Sequence, residues 1–303
     1  VRLPLAAAST NKVCVSYMPL PDPICDPRLR HEVLSLERLP PLAPVAARLL
    51  AVASDPDLAI NELAAIIEQD PPLTARILGL ANSAFFGQVN PIFRVEQAII
   101  RVLGLNMVRS LALSIALSGS FDTRRCRSFD PGDYWLNALA TSALAAAIGR
   151  RLPANPWPLL VDSLHLAGLL HNIGTLVLVH VRPIQMAEVF EQEAVEQSPA
   201  DFASERALLG VDRWQAGQWL ALRWHLPEVV LHTLGALGEV GYQGPHAEVT
   251  GVVNSASRWV DARLRGAEAT LSIPGISDHL AAAAEHEVAE RLEELRAMAA
   301  IFT

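Results

Sequence analysis

Lysine, cysteine and surplus positive charge are the scarce ingredients of this sequence. A single lysine, Lys12, stands against 23 arginines, which marks a compositional bias rather than a functional choice. The three cysteines, Cys14, Cys25 and Cys126, are odd in number, widely spaced and without a C-x-x-C pair. That excludes an encoded disulfide framework or zinc ribbon and points to a reducing, cytoplasmic setting. Lys and Arg total 24 against 32 Asp and Glu, a net charge of −8. The field of the whole molecule therefore repels nucleic acid and anionic membrane surfaces, and neither is expected as a partner. The densest cationic run, Arg124, Arg125 and Arg127, reads as a solvated loop in preference to a phosphate-binding patch.

Other absences narrow the class further. No segment alternates with the period of a strand, no glycine-rich phosphate loop appears, and no G-x-S-x-G elbow offers a nucleophile. No repeat of fixed period suggests a solenoid. The early Leu/Ala run meets polar Ser9 to Lys12 too soon for a secretory core, so no export signal is expected.

What is present is apolar and helix-forming. Hydrophobic residues make up 51% of 303 positions, chiefly Ala and Leu. Residues 1–29, with the run MPLPDPICDP, read as an extended or disordered tail. Beyond them helical stripes begin. Leu42, Val45, Ala46, Leu49 and Leu50 share one face, a second helix covers 57–68, and a third follows Asp70 as cap and Pro71 as first residue. The third buries Leu73, Ile77, Leu80 and Ala81. Helices near 94–103 and 105–118 complete a first lobe, about 30–120. The polar stretch 120–133 reads as a hinge.

A second helical lobe, about 130–265, opens with YWLNALATSALAAAIGRRL, capped by Asp130 or Asp133 and stopped by Pro153. Its expected partner is 160–181, followed by helices at 183–196, 200–208, 211–224, 227–236 and 246–264. Residues 266–303 form a linker and an amphipathic helix near 279–300, with Val288, Leu292, Leu295 and Ala299 on the apolar face. That helix docks on its own domain or, alternatively, joins a second copy as a homodimer.

The most apolar run, LHLAGLLHNIGTLVLVH at 164–180, contains the polar pair His171–Asn172. In lipid these two, with His165 and His180, would be costly, so the run reads as a core helix rather than a membrane span. Neighbours on a helix point about 100° apart, so the two side chains address one site only where the backbone bends. Gly174 supplies such a place. On spacing alone the pair reads as buried polar groups satisfying the backbone at a break.

Several segments together carry a resemblance. IIEQDPPLTARILGLANSAFF, QAIIRVLGLNMVRSLALS, YWLNALATSALAAAIGRRL, GLLHNIG and WHLP occur in the order found in HDOD domains, from about Leu39 to about Val260. The resemblance implies an all-α, two-lobed fold related to HD-superfamily phosphohydrolases, with an added N-terminal helical lobe and a role in bacterial signalling, often beside cyclic di-GMP machinery. Matched residue by residue, the family's metal-binding positions fall on Asn137, His171, Asn172, Arg213 and Ser257, and only His171 keeps a ligand type.

A hydrolytic cation needs anionic oxygens and neutral imidazoles to repay its dehydration and activate water. Two amides, a hydroxyl and an arginine do not supply them. The expectation is therefore no metal, no cofactor and no catalysis: a regulatory module that binds a signalling protein, a cyclic-di-GMP-related partner among them. Asn137, His171, Asn172 and Ser257 would satisfy one another as a polar plug, or line a pocket for a small anion with Arg213. The candidate interaction surface is Asn82, Phe85 and Phe86 with Leu292 and Leu295. The alternatives are a metal-dependent phosphohydrolase or phosphodiesterase and a non-catalytic nucleotide sensor.

Overall fold

The computed structural model describes residues 40–303 except 54, 56, 153–157, 197–201, 240 and 274. The tail expected over 1–29, together with Cys14 and Cys25, lies outside the described residues. Among those residues the secondary structure is helical and contains no strand.

The first lobe is built from α1 (Pro44–Ala51), α2 (Ile60–Glu68), α3 (Pro71–Ala81), α4 (Val95–Ala98, continued by a π-turn at Ile99–Leu103) and α5 (Leu105–Ser118). Asp70 caps α3 as its sequence implies, its Oδ1 accepting from the Leu73 amide at 2.9 Å. The α3 stripe of Leu73, Ile77, Leu80 and Ala81 is buried. After α3 the chain turns through a 3₁₀ segment at Ala84–Phe86.

The second lobe contains α6 (Pro131–Arg151), α7 (Pro158–Leu170), α8 (Ile173–Val181), α9 (Pro183–Glu196), α10 (Ala203–Leu209), α11 (Arg213–Trp224), α12 (Glu228–Ala236) and α13 (Ala247–Leu264). Asp130, not Asp133, caps α6, accepting from the amides of Gly132 and Asp133. Helix α6 is the hub, against which α7 and α13 pack. Small residues bring the backbones close. A Cβ at Gly168 would lie 2.7 Å from the Ser142 Cα, and one at Gly149 would lie 2.6 Å from a Leu164 methyl. The lobes meet where α5 crosses α7, and there Asn106 donates to Asp162 at 2.5 Å.

Three expectations are revised. The run 160–181 is long and apolar enough to cross a membrane, yet 89% of its most apolar window is buried within the protein, and it is two helices rather than one. The expected hinge at 120–133 is anchored to the second lobe. Phe121 packs on Trp224 at 5.4 Å between ring centroids, Cys126 is buried, and the Asp122 amide donates to His180 Nδ1 at 3.1 Å. The C-terminal helix is also two, α14 (Asp278–Ala289) and α15 (Leu292–Ala299), joined at Glu290–Arg291.

These last helices lie on α6 and reach back to the first lobe. Phe302 stacks on Trp135 at 4.3 Å, and Arg150 and Arg151 both grip Glu287. The buried apolar residues consequently form one cluster running from Ala46 to Phe302.

Candidate functional site

The break between α7 and α8 falls on His171–Asn172, and close packing explains its sequence. A Cβ at Gly174 would sit 1.7 Å from the Arg213 carbonyl oxygen and 2.5 Å from the Gly217 nitrogen, so only glycine lets α8 approach α11. Both polar side chains are buried at that bend, His171 at 4% exposure and Asn172 at 8%. His171 Nδ1 lies 2.7 Å from the Gly168 carbonyl oxygen and, facing an acceptor, carries the proton; Nε2 is left with the lone pair. Burial, reinforced by the charge of Arg213 and opposed by the Gly168 hydrogen bond, holds this imidazole down at about 4, so it is neutral at pH 7.

Asn172 does not cap α8 with its side chain. Its Nδ2 donates to the Tyr134 carbonyl at 3.2 Å and to Asn137 Oδ1 at 3.3 Å, while its own Oδ1 is buried without a partner. An orphaned acceptor of this kind costs about 1–3 kcal/mol. Asn137 in turn donates from Nδ2 to Asp261 Oδ1 at 2.5 Å. Burial pushes the Asp261 carboxyl above its ordinary range, against the pull of Arg213, Arg265 and Asn137.

Arg213 opens α11, where Asp212 is the cap. Its Nη2 donates to Glu193 Oε1 at 2.7 Å, its Nε to Glu205 Oε1, and its backbone amide to Glu205 Oε2 at 2.7 Å. The guanidinium lies over the Phe202 ring, 4.3 Å from its centroid. Glu205 is wholly buried, and that burial pushes its carboxyl up to about 7 despite the opposing charge of Arg213. Arg265 reaches the other oxygen of Glu193 at 3.7 Å.

Asn137, His171, Asn172, Arg213, Ser257 and Asp261 all line one cavity of about 350 Å³. The five positions singled out from the sequence are thus brought together, but not as the polar plug expected. His171 bonds to the backbone, and Ser257 donates to the Asn254 carbonyl at 3.0 Å on its own helix. Only Asn137 and Asn172 meet directly. The sequence reading missed Asp261, Glu193 and Glu205. Asp261 stands four residues after Ser257 on α13, one turn along the same face, so shifting the expected position by one turn would have found it. Glu205 gave no such signal, beyond the general rule that an arginine in an apolar interior needs a carboxylate.

As a donor set for the divalent cation that the HD-like fold implies, these residues do not fit. Two neutral amides, one imidazole and one carboxyl raised by burial face a fixed guanidinium. Among the described residues no group of three or more His, Cys, Asp or Glu side chains converges as a metal site.

The proposed interaction surface is placed differently from the sequence reading. Leu295 is buried at 2% and Leu292 half-buried, both in α15, which packs against the 3₁₀ turn carrying Phe85 and Phe86. Arg291 lies over the Phe85 ring, 3.5 Å from its centroid, and donates to the Phe85 carbonyl. The two halves of that surface are joined within the chain, because the apolar stripe of the C-terminal helices covers the half-buried phenylalanines. Asn82 is exposed, but its amide bridges the turn, accepting from the Ile92 amide at 2.7 Å and donating to the Ile92 carbonyl at 2.9 Å.

The HDOD domain family matches residues 39–236. An uncharacterised protein of Treponema pallidum (strain Nichols) is 27% identical over 203 residues, 66% of this chain and 37% of that protein, so the chain spans little more than a third of that relative's length. A solved structure from Marinobacter aquaeolei VT8, provisionally described as a signal transduction protein, is 27% identical with a TM-score of 0.76, covering 87% of this chain and 60% of that one. An HDOD domain protein of unknown function from Geobacter sulfurreducens is 23% identical with a TM-score of 0.69, covering 92% and 99% of the two chains. A provisionally described phosphohydrolase from Shewanella amazonensis SB2B is 22% identical with a TM-score of 0.68, covering 91% and 98%. The last two share the fold.

Proposed function

Because the chain belongs to the HDOD domain family, with residues 39–236 forming the match, we propose that it is a non-catalytic regulatory module of that family, acting in signal transduction through binding. The observation that carries this reading is the Arg213 guanidinium, held by Glu205 and Glu193 among the residues that match metal-binding positions in HD enzymes. A permanent cation pinned there repels a divalent ion and discourages protonation of His171. The reading is supported by the ligand chemistry: among the described residues no three His, Cys, Asp or Glu side chains converge to hold a water-activating metal. The similarity at 27% identity to a protein provisionally described as acting in signal transduction supports the same direction. Signalling proteins, those of cyclic di-GMP circuits included, are the partner class we propose.

One observation favours a second reading. Asp261 adds a carboxyl group to the cavity beside His171, so a phosphohydrolase would have one acid and one imidazole with which to begin. Elemental analysis of purified protein, with bis(p-nitrophenyl) phosphate hydrolysis in added Mn²⁺, separates the two. The regulatory reading expects no stoichiometric metal and no turnover above buffer in wild type or His171→Ala. One metal per chain with turnover, both lost in His171→Ala, would establish the hydrolase instead.

A further inference from the structure

The cavity beside Asn172 has a hydrogen-bonding bias of its own. Three of the four amide hydrogens at its floor are engaged inside the protein: both from Asn172 Nδ2, on Tyr134 and Asn137, and one from Asn137 Nδ2, on Asp261. Ser257 is turned to its own helix. Apart from the second Asn137 N–H, what remains on the floor are acceptors. His171 presents the Nε2 lone pair opposite its bonded Nδ1, and Asp261 has a second oxygen beyond the one Asn137 engages, whereas the unpartnered Asn172 Oδ1 is closed over by its neighbours.

The charge of the lining points the same way. Among the described residues, four carboxylates face three arginines. Each arginine already has its acid: Arg213 has Glu205 and Glu193, Arg265 has Glu193 at 3.7 Å, and Arg296 has Asp133 at 4.0 Å. A phosphate would therefore have to displace a buried pair to reach Arg213, and the exposed Arg296 at the rim is the one loosely held cation of the three. The walls are aromatic, supplied by Phe129, Phe190, Phe202 and Trp214, with Phe129 and Phe190 6.1 Å apart between centroids. Flat rings suit such walls, and a cavity of about 350 Å³ lies within the range of small-molecule sites.

We propose that this cavity binds a small planar nitrogen heterocycle presenting N–H donors to His171 and Asp261, and that it discriminates against phosphate. The proposal rests on the reading that Arg213, rather than a metal ion, holds the site. It makes the regulatory module ligand-responsive, because the ligand would bridge α6, the α7–α8 bend and α13.

The test uses the full chain and calorimetry with three probes: 2-aminobenzimidazole, 2-methylbenzimidazole, which lacks the amino donors, and inorganic phosphate. The amino compound should bind at least tenfold more tightly than the methyl compound, and phosphate should not bind. His171→Phe and Phe190→Ala, each checked for unchanged helicity, should each weaken the amino compound at least tenfold. Equal binding of the two benzimidazoles, binding of phosphate alone, no binding of any probe at millimolar concentration, or wild-type binding in both folded variants would overturn the proposal. Stoichiometric Mn²⁺ in the same preparation would instead overturn the metal-free reading beneath it, so the two failures are told apart.

Discussion

A guanidinium in the interior is tolerable only while its carboxylates stay with it. Arg213 and Glu205 have side-chain exposures of 14% and 0%, so neither could hydrate if the other were removed. Arg213→Met should therefore destabilise the fold by about 3–5 kcal/mol, since it strands a buried carboxylate, whereas adding Glu205→Gln should recover much of that loss. Urea unfolding of the single and double variants measures both effects, and equal losses would show that the pair does not act as a unit. Gly174 makes a second residue-level case. Its Cβ has nowhere to go between α8 and α11, so Gly174→Ala should cost at least the upper part of the about 1–3 kcal/mol typical of overpacking. A shift in the urea midpoint within error of zero would contradict the close approach.

At the scale of elements, local signals wrote some boundaries plainly and others not at all. Asp70 with Pro71 and Asp130 with Pro131 mark helix starts because capping is chemistry of neighbours in sequence. The α7–α8 break falls at His171–Asn172 rather than at Gly174, whose lack of a side chain answers the Arg213 backbone some forty positions away, a contact that local sequence does not show. The HDOD resemblance located the site, but it named Ser257 where the carboxyl stands one turn on at Asp261, since helical faces repeat every turn and sequence matching alone does not choose between them. Asn82 was legible as the end of an apolar run, yet its work is a tertiary clamp on Ile92 across the 3₁₀ turn. Asn82→Ala removes that clamp while leaving α3 and α4 intact. It should speed hydrogen exchange of the Ile92 amide by tenfold or more with a change in global stability of about 1 kcal/mol or less. Unchanged exchange at Ile92 would mean the turn is held by other contacts.

For the molecule as a whole, the single buried cluster couples both lobes and the C-terminal helices, so titration of interior groups is felt as global stability. Two opposing sets of groups titrate there. His165 and His171 are both held down at about 4, by burial first and then by the charges of Arg150 and Arg213 respectively, while Glu205 is pushed up to about 7 and Asp261 is also raised. A histidine with a depressed folded pKa stays neutral in the native state while the unfolded chain takes up a proton near 6.5. Its stabilisation is complete above pH 6.5 and is lost as pH falls toward 4. Glu205 works in the opposite sense, binding a proton in the folded state first and regaining stability as pH falls through about 7 toward its unfolded value, and the raised Asp261 acts in the same direction. The net profile is thus a small difference, and one group has to be removed to read its share. His165 is suited to this because it lies outside the Arg213 cavity, with Nδ1 3.2 Å from Ser142 Oγ. Between pH 6.5 and 4, wild type should lose about 3 kcal/mol more than His165→Gln, the equivalent of one histidine shifted by the cited amount. Parallel pH profiles for the two proteins would mean that His165 titrates in the folded state as it does in the unfolded chain.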